Sequence, residues 1–162
     1  MSDTSVLPGS HLVRNLFEDL LGRDCNVSPG TPMEAGDLPT GTIAIYTDSA
    51  QQIYAVLGMQ LSLAANVGAA LGLLPPGAAE DSIDDKVLAP NLAENVFELC
   101  NVLTSLLNRE GAPHVKLHQV VYPGMPLPND ARAHLLALGR RLDLTMEVNR
   151  YGKGKLSLSL AP

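Results

Sequence analysis

Apolar positions change period along the chain, and each change marks an element. In "GSHLVRNLFEDLLG" the series Leu12, Leu16, Leu20 and Val13, Phe17, Leu21 repeats at helical spacing, between Ser10 as N-cap and Gly22 as stop. This predicts a helix over 11–21. "CNVSPG" reads as a short strand, and the Pro- and Gly-rich stretch 29–40 as a loop. "GTIAIYTD" and "QQIYAVLG" place Ile43, Ile45, Ile53 and Val56 on a pleated surface, and the short connection "DSA" makes a hairpin of them. Ser62 is placed to cap a helix running to about Leu73 and ended by Pro75–Pro76. Its small residues Ala64, Ala65, Gly68, Ala69 and Gly72 let another backbone come close.

"GAAEDSIDDK" reads as an acidic connector. The next apolar stripe predicts the longest helix, from Asp84 or Pro90 to Asn108, with Gly111 and Pro113 marking its end. "HVKLHQVVYPG" is a strand, "GMPLPND" a loop and "DARAHLLALGRR" a short helix. "LDLTMEVNRY" and "KLSLSLA" alternate apolar and polar, which predicts a terminal hairpin with one wet face and a turn at "GKG". Hairpin connections dominate over crossovers. The expected architecture is therefore α+β: a mostly antiparallel sheet of about five to six strands with helices packed on one face. A single domain over 1–162 is expected.

With 46% apolar and 17% charged residues in 162, the chain is globular rather than disordered and long enough for a sizeable core. Aromatics are only 4% with no Trp, so Leu, Val and Ala must build that core. Cys25 and Cys100 are too few for a disulfide framework, and Cys100 is expected as a reduced, half-buried thiol. "MSDTSVLPGSHLV" is not patterned as a signal peptide, and the run "LSLAANVGAALGLL" is too short to span a membrane. A cytoplasmic location is the expectation, with no membrane partner. The net charge of −6 argues against nucleic acid as a partner. It is unevenly placed: residues 1–108 hold 3 basic and 13 acidic side chains, residues 109–162 hold 8 and 4. Either this makes a polar surface, or the two segments mix in one sheet and the contrast vanishes.

The candidate chemistry lies on the longest helix. Leu92, Val96, Leu99, Leu103 and Leu106 form its apolar stripe, with Cys100 and Leu107 beside it and Phe97 towards its edge. Glu94, Glu98, Asn101, Ser105 and Asn108 share the opposite side. Glu98 and Asn101 are adjacent there, at i and i+3. On pattern alone an ordinary solvated helix face is the better explanation. Other sets carry less. His114 and His118 lie roughly 13 Å apart on one strand, too far to share a metal ion. "YGKGK" lacks the spacing and strand-to-helix setting of a phosphate loop, and no His is in helical register with Cys100 for nucleophilic catalysis.

Glu98-x-x-Asn101 on this helix, followed by a strand and then Pro123, in this order of elements, resembles the CheC/CheX family of phosphatases. These hydrolases act on the phosphorylated response regulator of chemotaxis, in two-component signalling. The resemblance covers about residues 10–160 in element order and rests on few residues. It implies that Asn101 orients the attacking water and that Glu98 pairs with a lysine of the partner. Glu98 and Asn101 are thus the implied catalytic residues. The partner is a phosphorylated receiver domain, which carries its own Mg²⁺, so no cofactor belongs to this chain. In the first helix Asn15 and Glu18 stand in the reverse order, so a single site matches the CheX-like branch. Small residues follow the Asn in the family pattern, whereas Val102, Leu103, Thr104 and Ser105 follow it here. That leaves open a non-catalytic CheX-like binding or dimerisation module, and beyond it an unrelated α+β domain. A homodimer is expected, because the terminal hairpin should leave a sheet edge to be covered and CheX-type proteins resemble dimers built through their sheets.

Overall fold

The computed structural model describes residues 7–108 and 113–161. Helix α1 spans Ser10–Leu21 and strand β1 Cys25–Pro29; after a 3-10 turn at Ala35–Thr40 come β2 (Thr42–Asp48) and β3 (Ile53–Met59). Three helices follow, α2 (Leu61–Leu71), α3 (Pro76–Asp85) and α4 (Pro90–Val102). The chain then runs through a 3-10 turn at Leu103–Leu106, β4 (Val115–Val121), α5 (Asn129–Leu136), β5 (Arg141–Val148) and β6 (Gly152–Leu160). All six strands join one antiparallel sheet, ordered β1-β5-β6-β3-β2-β4. The architecture is α+β, as the strand pattern implied.

Alternation along each strand divides the core. Ala44 and Tyr46 of β2, Ala55, Leu57 and Met59 of β3, and Leu156, Leu158 and Leu160 of β6 face a large cluster with α1, α2 and α4. Ile43, Ile45 and Val56 face the other way and are covered by Met33, Leu38 and α5 through Ala131 and Leu135. The middle strands are thus apolar on both faces, which is why "GTIAIY" reads as a continuous run. The stripe of small residues on α2 behaves as expected. A Cβ on Gly68 would lie 2.9 Å from the carbonyl oxygen of Leu92, so α4 approaches α2 at backbone contact.

Several expectations are corrected. Residues 76–85 are helical: Pro76 occupies the first helical turn, where its missing N–H costs nothing, and Lys86 ends α3 in the left-handed conformation at φ 58°. The caps shift by a residue or two, to Gly9 for α1 and Gln60 for α2, with no side-chain cap at either. The long helix passes into a 3-10 turn after Val102 rather than running on to Asn108. Gly111, read as its end marker, lies outside the described residues. The terminal turn is at 149–151, closed by Tyr151 N–H donating to Val148 O at 2.9 Å, so the first glycine and lysine of "GKG" already belong to β6.

The terminal hairpin has no wet face along β6, because Ser157 and Ser159 are buried. Ser157 Oγ accepts the Met33 N–H at 3.0 Å, and Ser159 Oγ donates to His134 O at 2.7 Å. The hairpin also leaves no edge: β5 and β6 are internal, and β1 and β4 are the edge strands. Because β5 and β6 sit between β1 and β3, the basic C-terminal segment is interleaved with the acidic N-terminal one. No helix among the described residues is long and apolar enough to cross a membrane.

Candidate functional site

Helix α4 is held by its buried face. Leu92, Val96, Leu99 and Cys100 are fully buried, and Leu103 continues the stripe into the 3-10 turn. Where the α-helical pattern gives way, Tyr46 on β2 donates its hydroxyl to Cys100 O at 2.6 Å, satisfying a carbonyl at the helix end. Burial pushes the Tyr46 phenol well above its ordinary range. On one flank Asn95 Nδ2 donates to Gly68 O of α2 at 2.9 Å. On the other, Tyr122 donates to Ala93 O at 3.3 Å. The helix is therefore clamped from the sheet and from both sides, and only one face remains for solvent.

That face carries Glu94, Phe97, Glu98, Asn101 and Ser105, all exposed. Glu98 and Asn101 are brought together as the spacing predicted, with Cβ atoms about 5–6 Å apart for such a pair. Among the described residues neither side chain has a hydrogen bond or ion pair. The other amides of this segment are all engaged. Asn91 Oδ1 accepts from Leu92 N–H at 3.0 Å, Asn95 holds α2, and Asn108 makes a two-way pair with Val115 at 2.7 and 2.9 Å. Asn108, grouped with the wet face from the helical wheel, is thus half-buried and structural, because the helix has already changed pitch when it is reached.

The residues after Asn101 differ in exposure. Leu103 is buried, Val102 and Thr104 are half-buried, and only Ser105, a small residue, is exposed. Pro123 lies at the second position of a tight turn in which Met125 N–H donates to Tyr122 O at 3.0 Å and Gly124 takes φ +85°. These are the residues a type II turn requires. The turn follows Tyr122, whose hydroxyl reaches α4, and so ties Pro123 to the Ala93 side of the helix.

Sequence reasoning missed Phe97. Placed at the edge of the apolar stripe, it is instead 46% exposed. Its signal was available: at about 100° per residue it lies about 40° from Asn101, nearer to the wet face than to the buried one. In α1, Asn15 is exposed and accepts from Arg14 of the same helix, while Glu18 accepts the Cys25 N–H at 3.0 Å and so ties α1 to β1. Cys100 is fully buried, and burial pushes its thiol up to about 12, which makes it inert as a nucleophile. Cys25 is likewise pushed up to about 11, by burial first and by the carboxylates of Glu18 and Asp24 next. No three His, Cys, Asp or Glu side chains gather as a metal cluster among the described residues. The exposed imidazoles His114 and His118 accordingly stand apart from any such set.

No family model matches the sequence, and no curated protein is detectably similar to it. Solved structures do match. FliY from Thermotoga maritima is 14% identical, with a TM-score of 0.56 over 91% of this chain and 81% of that one. The CheX-CheY-BeF3-Mg complex from Borrelia burgdorferi contains a match 9% identical, with a TM-score of 0.51 over 91% of this chain and 92% of that one. The FliM-SpeE complex from H. pylori gives 9% identity and a TM-score of 0.51 over 93% and 82%. At these identities the likeness is one of fold: this chain has a CheX-like fold, in which FliY and FliM also share.

Proposed function

We propose that this chain is a CheX-like phosphatase that accelerates hydrolysis of the aspartyl phosphate on a response-regulator receiver domain. The observation that carries the proposal is the condition of Asn101. It is the amide of its helix left exposed and unbonded among the described residues, and Glu98 stands beside it in the same state. The likeness to CheX in a complex with CheY supports the class of partner.

The chemistry asked of the pair is modest. In the reaction a water oxygen bonds to phosphorus as the bond to the aspartyl oxygen breaks. The aspartate leaves as carboxylate and the water's protons pass to phosphate and solvent. An acyl phosphate is already activated, so the gain lies in placing the water in line. Asn101 supplies both an acceptor for a water O–H and a donor, which fixes the water's orientation. Glu98 pairs with a cationic side chain of the receiver and sets the register of docking. Mg²⁺ belongs to the receiver.

The test is the lifetime of phosphorylated receiver domains from the same genome, alone, with this protein and with its Asn101→Ala variant. Acceleration by the wild type and none by the variant supports the proposal. Binding without acceleration overturns catalysis and leaves a non-catalytic docking module. The reading includes a homodimer using the edge strands β1 or β4. Light scattering at micromolar concentration that returned the 17.1 kDa of one chain would exclude it.

A further inference from the structure

The exposed face of α4 is two-sided. Looking down the helix, Asn101 lies between Phe97, about 40° away, and Glu98, about 60° away on the other side. The Phe97 flank is apolar: its ring is 46% exposed, and one turn earlier Tyr122 reaches Ala93, followed by half-buried Pro123. The Glu98 flank is acidic: Glu94 and Glu98 are exposed, and no cation among the described residues pairs with either. Phe97 belongs to none of the buried clusters, so the fold does not account for its aromatic ring.

We infer that Phe97 is the apolar anchor that seats the receiver domain on α4, on the flank of Asn101 opposite the carboxylate already proposed to pair with the receiver's cation. This rests on the function proposed above and adds how the partner is recognised. The partner's surface must then carry an apolar patch on one side of its acyl phosphate and a cation on the other. The cation is needed for a further reason. The phosphoryl group is anionic, and two carboxylates beside its site would repel it unless a positive charge intervened. The same carboxylates disfavour a nucleic acid as the occupant. Aromatic side chains, Phe among them, are enriched at protein interfaces relative to the rest of the surface. Phe97 is a positioning residue: it holds the partner and does not touch the water.

The test measures the dephosphorylation rate against receiver concentration, using receivers charged with acetyl phosphate and the full chain as wild type, Phe97→Ala, Phe97→Leu and Asn101→Ala. Phe97→Ala should raise the half-saturating receiver concentration about thirtyfold, the size of a hot-spot loss, with the plateau rate and thermal midpoint unchanged. Phe97→Leu should recover most of the affinity. Asn101→Ala should do the reverse, losing the plateau rate while still binding receiver charged with beryllofluoride. If Phe97→Ala saturates at the wild-type concentration, or loses its plateau rate instead, the anchor role is overturned and the proposed function survives. If the wild type neither binds nor accelerates any receiver, the proposed function fails and the anchor falls with it.

Discussion

Two asparagines on one helix give the sharpest test of which side chains serve the fold and which serve a partner. Asn95 is half-buried and donates to Gly68 O at 2.9 Å, while Asn101 is exposed with no partner among the described residues. Replacing either by Ala should gain about 0.5 kcal/mol of helix propensity. Only Asn95→Ala also loses a hydrogen bond. Its acceptor is not orphaned, because Gly68 O keeps the Gly72 N–H at 3.2 Å. The loss is therefore the net value of one bond, about 1 kcal/mol, and not the larger penalty of a buried unpaired carbonyl. Subtracting the two variants cancels most of the propensity term. Asn95→Ala should lie about 1 kcal/mol below Asn101→Ala, or about 2–4 °C in thermal midpoint for a chain of this size. Urea unfolding with unchanged m-values gives the same difference without heating. Activity should sort the other way: Asn95→Ala keeps the acceleration of receiver dephosphorylation, and Asn101→Ala loses it. The reasoning is refuted if Asn101→Ala is the less stable of the two by 1 kcal/mol or so, since the amide would then be structural. It is refuted equally if both variants lose activity at matched folded fractions.

Other outcomes follow from the same contacts. Leu99→Ala removes a fully buried side chain between α4 and the sheet and should cost about 2–5 kcal/mol in denaturant unfolding. Tyr46→Phe leaves Cys100 O without its 2.6 Å donor at a buried helix end and should cost about 1–3 kcal/mol. Because the residue after Cys100 is Asn101, it should also lower the phosphatase rate at saturating receiver. Gly68→Ala puts a methyl group 2.9 Å from Leu92 O, so α4 must move off α2, and a drop in thermal midpoint is expected despite the better helix former. Stability should fall with alkali. Burial raises the Cys100 thiol from 9.0 to about 12, so the unfolded chain releases this proton first and the native state is penalised progressively between those values. Tyr46, also raised, adds a penalty of the same sign above pH 10. Denaturation midpoints from pH 7 to 11 should slope less in Cys100→Ala than in the wild type.

Periodicity determined much of this protein. The leucine stripe of α4, the β2–β3 hairpin and the small residues of α2 were legible because each is a local pattern with a single burial solution. The adjacency of Glu98 and Asn101 followed from helical geometry alone. Tertiary structure decided what local pattern leaves degenerate. Alternating Ser157 and Ser159 look like a wet strand face, and become buried only because Met33 and α5 come from elsewhere in the chain to cover and bond them. The acidic segment 76–85 lacks a strong apolar stripe, and it is a helix because Ala79 and Ser82 are buried and Ser82 Oγ accepts the Ala89 N–H at 3.1 Å. The hairpin 141–160 carries the signature of an edge, yet it is internal because β1 and β3 pair to its two sides. At the site itself, sequence named two polar residues on a wet face. Which of the helix's amides was left free depended on where α2 and β4 came to rest. Helical geometry fixes a side chain's direction, but only the packing of distant segments fixes what lies in that direction.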